Sequence, residues 1–181
     1  VRRLVLAFYG LSVQAFGGED DLAALGEWLD DEERARLADV AHRAPVVATW
    51  ISRRLATLPF ANDGAAGELR LHRMDQNLTQ MITALSGCER IRFTPVPFAY
   101  AQHIKLFLTV FCFTSPFAMV GGMGLWTVPA VVVLTLALFG IDEIGVEIED
   151  PFGDDPNDLP LDAIGAGLAT ATAEMLGAGI E

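Results

Sequence analysis

The chain has 181 residues, 52% of them hydrophobic, with a net charge of −12. Residues 1–92 carry 11 Arg against 13 Asp/Glu, residues 93–141 carry only Lys105, and residues 142–181 carry 11 Asp/Glu and no Lys or Arg. Clustered cations are missing where nucleic acid would need them, so nucleic acid is not expected as a partner. Cys88 and Cys112 form no CxxC and no Cys/His metal spacing. Cys112 lies in an apolar run and reads as a small packing residue, and no disulfide framework is expected.

Val1–Phe16 is Arg-headed and then mainly apolar, and reads as a helix closed by Gly17-Gly18. It is too short and too interrupted for a confident membrane span. No signal peptide is seen at the start. Asp20–Leu29 reads as a short helical piece. Asp30-Asp31-Glu32-Glu33 then sets acids in a first helical turn, where the helix dipole favours them. Pro45 fits the first turn of a helix running to Leu58, and Pro59–Gly64 fits a turn. Ala65–Ser86 is amphipathic, with Leu71, Met74, Leu78, Met81 or Ile82, and Leu85 recurring at threes and fours. Gly87 is the expected stop, and Thr94-Pro95 the expected N-cap and first residue of the next helix.

From Pro97 to Val120 the chain is nearly all apolar, broken by Gln102, His103 and Lys105. Gly121-Gly122-Met123-Gly124 reads as a tight connection to a second apolar run, Leu125–Ile141. The uncharged cores span roughly 22 and 25 Å at 1.5 Å per residue, slightly short of a hydrocarbon core of about 30 Å. Two readings fit: a membrane hairpin, or a buried hairpin of a soluble protein. Charge favours the first. Arg90 and Arg92 flank the first run and the loop is uncharged, as expected for a hairpin with both ends in the cytosol and Trp126 at the far interface. Lys105 is close enough to the helix end to snorkel, although ionisable groups at membrane depth are often functional. Tyr100 and Gln102 read as hydrogen-bond partners between helices. Arg90 is expected to pair with Glu89 or with the acidic tail of a neighbouring subunit. After Ile141, acids and apolar residues alternate up to Pro151, and Leu161–Leu176 reads as a last helix.

The stretch Gly87–His103 (GCERIRFTPVPFAYAQH), a hydrophobic hairpin, and then Gly140–Asp162 (GIDEIGVEIEDPFGDDPNDLPLD) together resemble the bacterial branch of the bestrophin family. Pro97, Tyr100 and Gln102 match the start of the family's third membrane helix. The Asp-Pro-Phe-Gly and acidic run match the segment after the fourth. Likeness is strong over residues 86–162 and extends weakly, in helix order, over 1–85.

The resemblance implies an all-α membrane protein: a helical bundle with a transmembrane hairpin and a cytosolic helical region, assembled as a homopentamer. It implies three regions, namely a cytosolic helical part at 1–92, the transmembrane hairpin at 93–141 and an acidic cytosolic segment at 142–181. It further implies a multi-pass protein of the cell inner membrane that conducts chloride or other anions passively. Its partners are then the lipid bilayer, small inorganic ions and other copies of itself. The family's first two membrane helices, and the pore neck on the second, are expected before residue 1. A non-conducting membrane scaffold or divalent-cation sensor is the alternative. No cofactor is required by the family pattern, but calcium is one it uses. By motif position Asp155 and Asp158 match side-chain ligands of a calcium clasp, and the carbonyls of Glu147 and Asp150 match its backbone ligands. Pro156 and Asn157 interrupt the acidic run of the calcium-binding members.

Close-set carboxylates beside a Pro/Gly turn suit calcium, which takes six to eight oxygens. The same acids also suit turn formation and helix capping. Under fivefold symmetry an Asp142–Glu149 face directed at the axis would favour cations, whereas one facing solvent would not affect selectivity. No GxSxG, GxGxxG, P-loop or HExxH occurs, and no enzyme activity is expected.

Overall fold

The computed structural model describes residues 1–18, 20–94, 96–153 and 157–177. Seven α-helices occur among them: α1 Arg2–Gly17, α2 Asp31–Leu37, α3 Arg43–Ala56, α4 Gly64–Phe93, α5 Phe98–Met123, α6 Thr127–Glu149 and α7 Leu161–Gly177. Short 3-10 turns lie at Ala23–Leu25, Pro59–Asn62 and Gly124–Trp126, and the described residues contain no strand. The chain divides into two compact units. The first comprises Val1–Arg90 with Phe152, Gly153 and the chain from Leu159. The second comprises Ile91–Pro151 with Asn157 and Asp158.

The first unit is built around α1. Leu4, Ala7, Phe8 and Leu11 recur at three- and four-residue steps, so they share one helix face, and all are buried. That face packs on α3, whose Ala44, Val47, Ala48 and Ile51 form the matching stripe. Leu37 of α2, and Leu78 and Leu85 of α4, complete the cluster. Each of the Leu, Val, Ile and Phe side chains is worth roughly 1.5–3 kcal/mol on burial. Helix α1 ends where expected, with Gly18 at φ 72 as a left-handed cap. Asp30–Leu37 is also as read from the acids: Asp30 accepts from the Glu33 N–H at 2.8 Å while Glu33 accepts from the Asp30 N–H at 3.1 Å, a closed capping box. The segment from Asp20 to Leu29 forms only one 3-10 turn rather than a short α-helix.

Helix α7 docks on α1 through small contacts. Tyr9 donates its hydroxyl to the Leu161 carbonyl at 2.7 Å, and its ring lies against Gly165, where a Cβ would stand 2.9 Å from Tyr9 Cε1. Arg2 donates to the Thr172 hydroxyl at 3.1 Å and to the Ala169 carbonyl at 3.0 Å. Phe152 is buried and stacks on Phe16 with centroids 4.8 Å apart.

Two helix boundaries depart from the sequence reading. Helix α4 runs straight through Gly87 to Phe93, because Gly87 keeps a helical backbone and is not among the positive-φ glycines. A glycine stops a helix only when it adopts the left-handed state. Accordingly Thr94 is not an N-cap: α5 starts at Phe98 behind Pro97. Pro95, its expected partner, lies outside the described residues.

In the second unit α5 and α6 pack on each other, joined by the 3-10 turn at Gly124–Trp126. The connection is shorter and later than expected. Gly121 and Gly122 stay helical, and Gly124 alone takes the reversal at φ 52, ψ −128. Trp126 lies in the turn and is 75% exposed. Phe98–Glu149 is long and apolar enough to cross a membrane, and almost none of it is buried. Phe113 and Phe117 are each 72% exposed, and Leu136 70%.

Pro116 sits inside α5. It has no N–H for the Cys112 carbonyl, and Ser115 donates its hydroxyl to that oxygen at 3.1 Å. Thr114 donates similarly to Val110 at 2.9 Å and to Phe111 at 3.2 Å. Side-chain hydroxyls thus supply donors around the break.

Two carboxyls in the first unit are held below their ordinary range. Asp20 is lowered by a hydrogen bond from Arg43 and by its charge, and Asp30 mainly by the Glu33 N–H. Arg43 also donates to the Leu37 carbonyl at 2.9 Å, tying the loop after α1 to the end of α2. Depressed carboxyls stabilise the fold above the unfolded value of about 4, and the contribution disappears as pH falls through the depressed values. The thermal midpoint of wild type should therefore fall between pH 6 and pH 3 more than that of Asp20→Asn/Asp30→Asn. Equal falls would remove these two groups from the acid response.

Candidate functional site

Helix α6 carries the chain from its apolar stretch into the acidic turn. Asp142, Glu143, Glu147 and Glu149 occupy its last turns. It stops at Glu149, with Asp150 extended at φ −124, ψ 90. The next residue is Pro151, whose ring disfavours a helical backbone at Asp150. The last four helical carbonyls, Val146 to Glu149, have no partner within the helix.

The acids at this end make specific ties within the second unit. Asp150 and Arg92 form an ion pair. Glu149 accepts the Val96 N–H at 2.7 Å. Together these connect the C-terminal end of α6 to the last turn of α4 and to the link that precedes α5. Glu147 accepts from the Asn157 amide at 3.3 Å. A cleft of about 460 Å³ is lined by Ile144, Glu147, Ile148, Pro151, Asn157 and Asp158.

Of the four residues nominated from the sequence, Glu147 and Asp158 share this cleft, and the Glu147 carbonyl is among the last four of α6. Asp150 lies beside it in sequence with its carboxylate on Arg92. Asp155, with Asp154 and Pro156, lies outside the described residues. Among the described residues no group of three or more His, Cys, Asp or Glu is arranged to hold a metal ion.

The sequence missed Arg92 as the partner of Asp150. The sequence reading pairs Arg90 instead, with Glu89 or with the acidic tail of a neighbouring subunit. The distinction is geometric: two residues on one helix point about 200° apart, and only an unbroken α4 fixes which one points where. Arg92 was visible as the last cation before the first apolar run, just as Asp150 is an acid just after the second. Tyr100 and Gln102, read as partners between helices, are exposed on this chain, as are His103 and Lys105.

Comparison with known proteins agrees with this architecture. Residues 1–174 match the model of the family described as bacterial/fungal bestrophin protein. The chain belongs to the bestrophin family. A voltage-dependent anion channel-forming protein of a Nostoc strain is 37% identical over 164 residues, which is 91% of this chain and 53% of that protein. One from a Synechocystis strain is 40% identical over 129 residues, 71% of this chain and 41% of that protein. Among solved structures, a bacterial bestrophin homologue from Klebsiella pneumoniae superposes with a TM-score of 0.88 at 27% identity, over 97% of this chain and 65% of that one. This bestrophin chain is thus an all-helical membrane-protein chain, and it spans about half the length of the Nostoc relative it matches.

If the tie is a tie, it should show as coupling. In the full-length protein, Arg92→Gln and Asp150→Asn, singly and together, should give a coupling energy of roughly 0.2–1 kcal/mol in a double-mutant cycle of unfolding. The coupling should weaken in 1 M salt, since both side chains are partly exposed. A coupling of zero at low salt would show that the pair contributes nothing to holding the turn.

Proposed function

We propose that this chain forms part of a channel subunit that lets small ions pass the membrane passively, with chloride and other anions as the principal cargo. The assembly is a homopentamer in the cell inner membrane. Residues 93–141 lie in the bilayer, and residues 1–92 and 142–181 lie in the cytosol. The observation that carries the reading is the stretch Phe98–Glu149: apolar, long enough to span, and with its large side chains directed outward rather than into a core. Such a surface is stable against lipid and costly against water. The relatives' names as anion channel-forming proteins supply the cargo. Arg90 and Arg92 on the cytosolic flank, with an uncharged turn opposite, supply the orientation. The family pattern is that of channels, and no catalytic role is proposed.

The test uses the full-length protein in liposomes. Chloride release under a potassium diffusion potential should exceed that of protein-free vesicles many-fold, with sodium uptake much smaller. Flux of neither ion would overturn the channel reading. Sodium passing in preference to chloride would keep the channel and give the acids of α6 control of selectivity.

A calcium clasp is a second reading, favoured by Glu147 and Asp158 lining one cleft at the C-terminal end of α6. Its ligands are the carboxylates of Asp155 and Asp158 and the carbonyls of Glu147 and Asp150, a short set for an ion that takes six to eight oxygens. Calorimetric titration of the full-length protein with calcium should give saturable heat that Asp155→Ala/Asp158→Ala abolishes. Identical heats in the two proteins would overturn the clasp.

A further inference from the structure

The first unit contains a second cavity, of about 390 Å³, in the seam between α1, the 3-10 turn at Ala23–Leu25 and α7. Tyr9, Val13, Gln14, Leu25, Trp28 and Asp162 are among its walls, and no Lys or Arg is. Its volume falls within the range of small-molecule sites. We propose that this cavity binds a small organic cation, an ammonium group carried on an apolar body, with Asp162 as its counter-ion.

Three features set the ligand class. The first is charge. Asp162 opens α7 and makes no ion pair among the described residues. Its carboxylate lies within electrostatic reach of Tyr9, whose phenol is pushed above its ordinary pKa by burial and then by Asp162. Arg2 lies further along the same seam, but it is committed to Thr172 and the Ala169 carbonyl and does not line the cavity.

The second feature is an unmet acceptor. Gln14 is only 8% exposed and donates its amide nitrogen to the Asp21 carbonyl at 2.6 Å. Its amide oxygen is buried without a hydrogen-bond partner. An unpaired buried acceptor is destabilising, and an incoming donor would relieve that cost. An ammonium is such a donor; a carboxylate or phosphate is not.

The third feature is the wall. The half-buried Trp28 and Tyr9 put aromatic rings on the cavity, and ring faces attract cations. Val13 and Leu25 offer apolar surface for the ligand's body. The aromatic seam is held in shape by close packing: a Cβ on Gly10 would stand 2.6 Å from Leu25 Cδ2 and 3.1 Å from Trp28 Cζ3. The site is independent of whether the protein conducts ions.

The probe is 2-phenylethylammonium chloride, titrated calorimetrically into the full-length protein in detergent, with the heat of protein-free micelles subtracted. Phenylethanol serves as the neutral control and sodium phenylacetate as the anionic one. Asp162→Asn keeps the shape and removes the charge at an exposed position, so its thermal midpoint should match wild type. The amine should bind saturably to wild type and at least tenfold more weakly to Asp162→Asn, while neither control binds as tightly. No saturable binding of the amine, equal binding by Asp162→Asn, or an alcohol as tight as the amine would each overturn the proposal.

Discussion

Hydrocarbon offers a backbone no hydrogen bonds, and that constraint shapes the second unit of this chain. Phe98–Glu149 carries two long apolar runs and little of it is buried, so the peptide groups of those runs must be satisfied locally. Two helices and one short turn meet that demand. Where Pro116 removes a donor from α5, Ser115 supplies one to the same carbonyl. Where the chain reverses, a single glycine takes the left-handed torsion and the helices on either side remain intact. Charged side chains are confined to the parts of the hairpin nearer its two ends. There the acids of α6 can serve as hydrogen-bond acceptors for the chain that enters α5.

Most of this plan was legible in residue type and spacing. The apolar runs gave the hairpin, and Pro151 gave the end of α6. Asp30 with Glu33 gave a helix start because the capping box is a purely local device, closed within four residues. The clasp positions came from motif likeness rather than geometry. The misplaced helix ends share one reason: glycine and proline announce permission, not outcome. Gly87 and the pair Gly121-Gly122 could have ended helices, and none does, because continuing the helix keeps its backbone hydrogen bonds. The Arg92–Asp150 pair was invisible because it joins residues 58 apart, and only tertiary folding brings them together.

The acidic turn mixes two uses of oxygen. Glu149 and Asp150 are engaged in holding the chain, one on a backbone N–H and one on a guanidinium. Phe152 holds the turn by a different force, through burial against Phe16. The magnitudes rank them. A partly exposed ion pair contributes about 0.2–1 kcal/mol, whereas burying a phenylalanine contributes roughly 1.5–3 kcal/mol. Glu147 and Asp158 are the acids of this turn that line the cleft, Glu147 accepting there from the Asn157 amide.

Charge placement follows from the same division. The chain's net charge of −12 lies almost entirely beyond residue 141, immediately after its most apolar segment. Asp142 to Glu149 are seven steps apart on one helix, about 10 Å, comparable with the screening length of about 8–10 Å at physiological salt. Charges that close are felt together rather than singly. One of the acids just beyond them, Asp150, is paired with Arg92, so the cluster's field is trimmed rather than cancelled. An approaching ion therefore meets a collective negative potential whose strength depends on salt. An anion pathway that passes this helix end must offset that potential with cations from other elements. The first unit, with all 11 arginines of residues 1–92 apart from Arg92 itself, is where this chain keeps them.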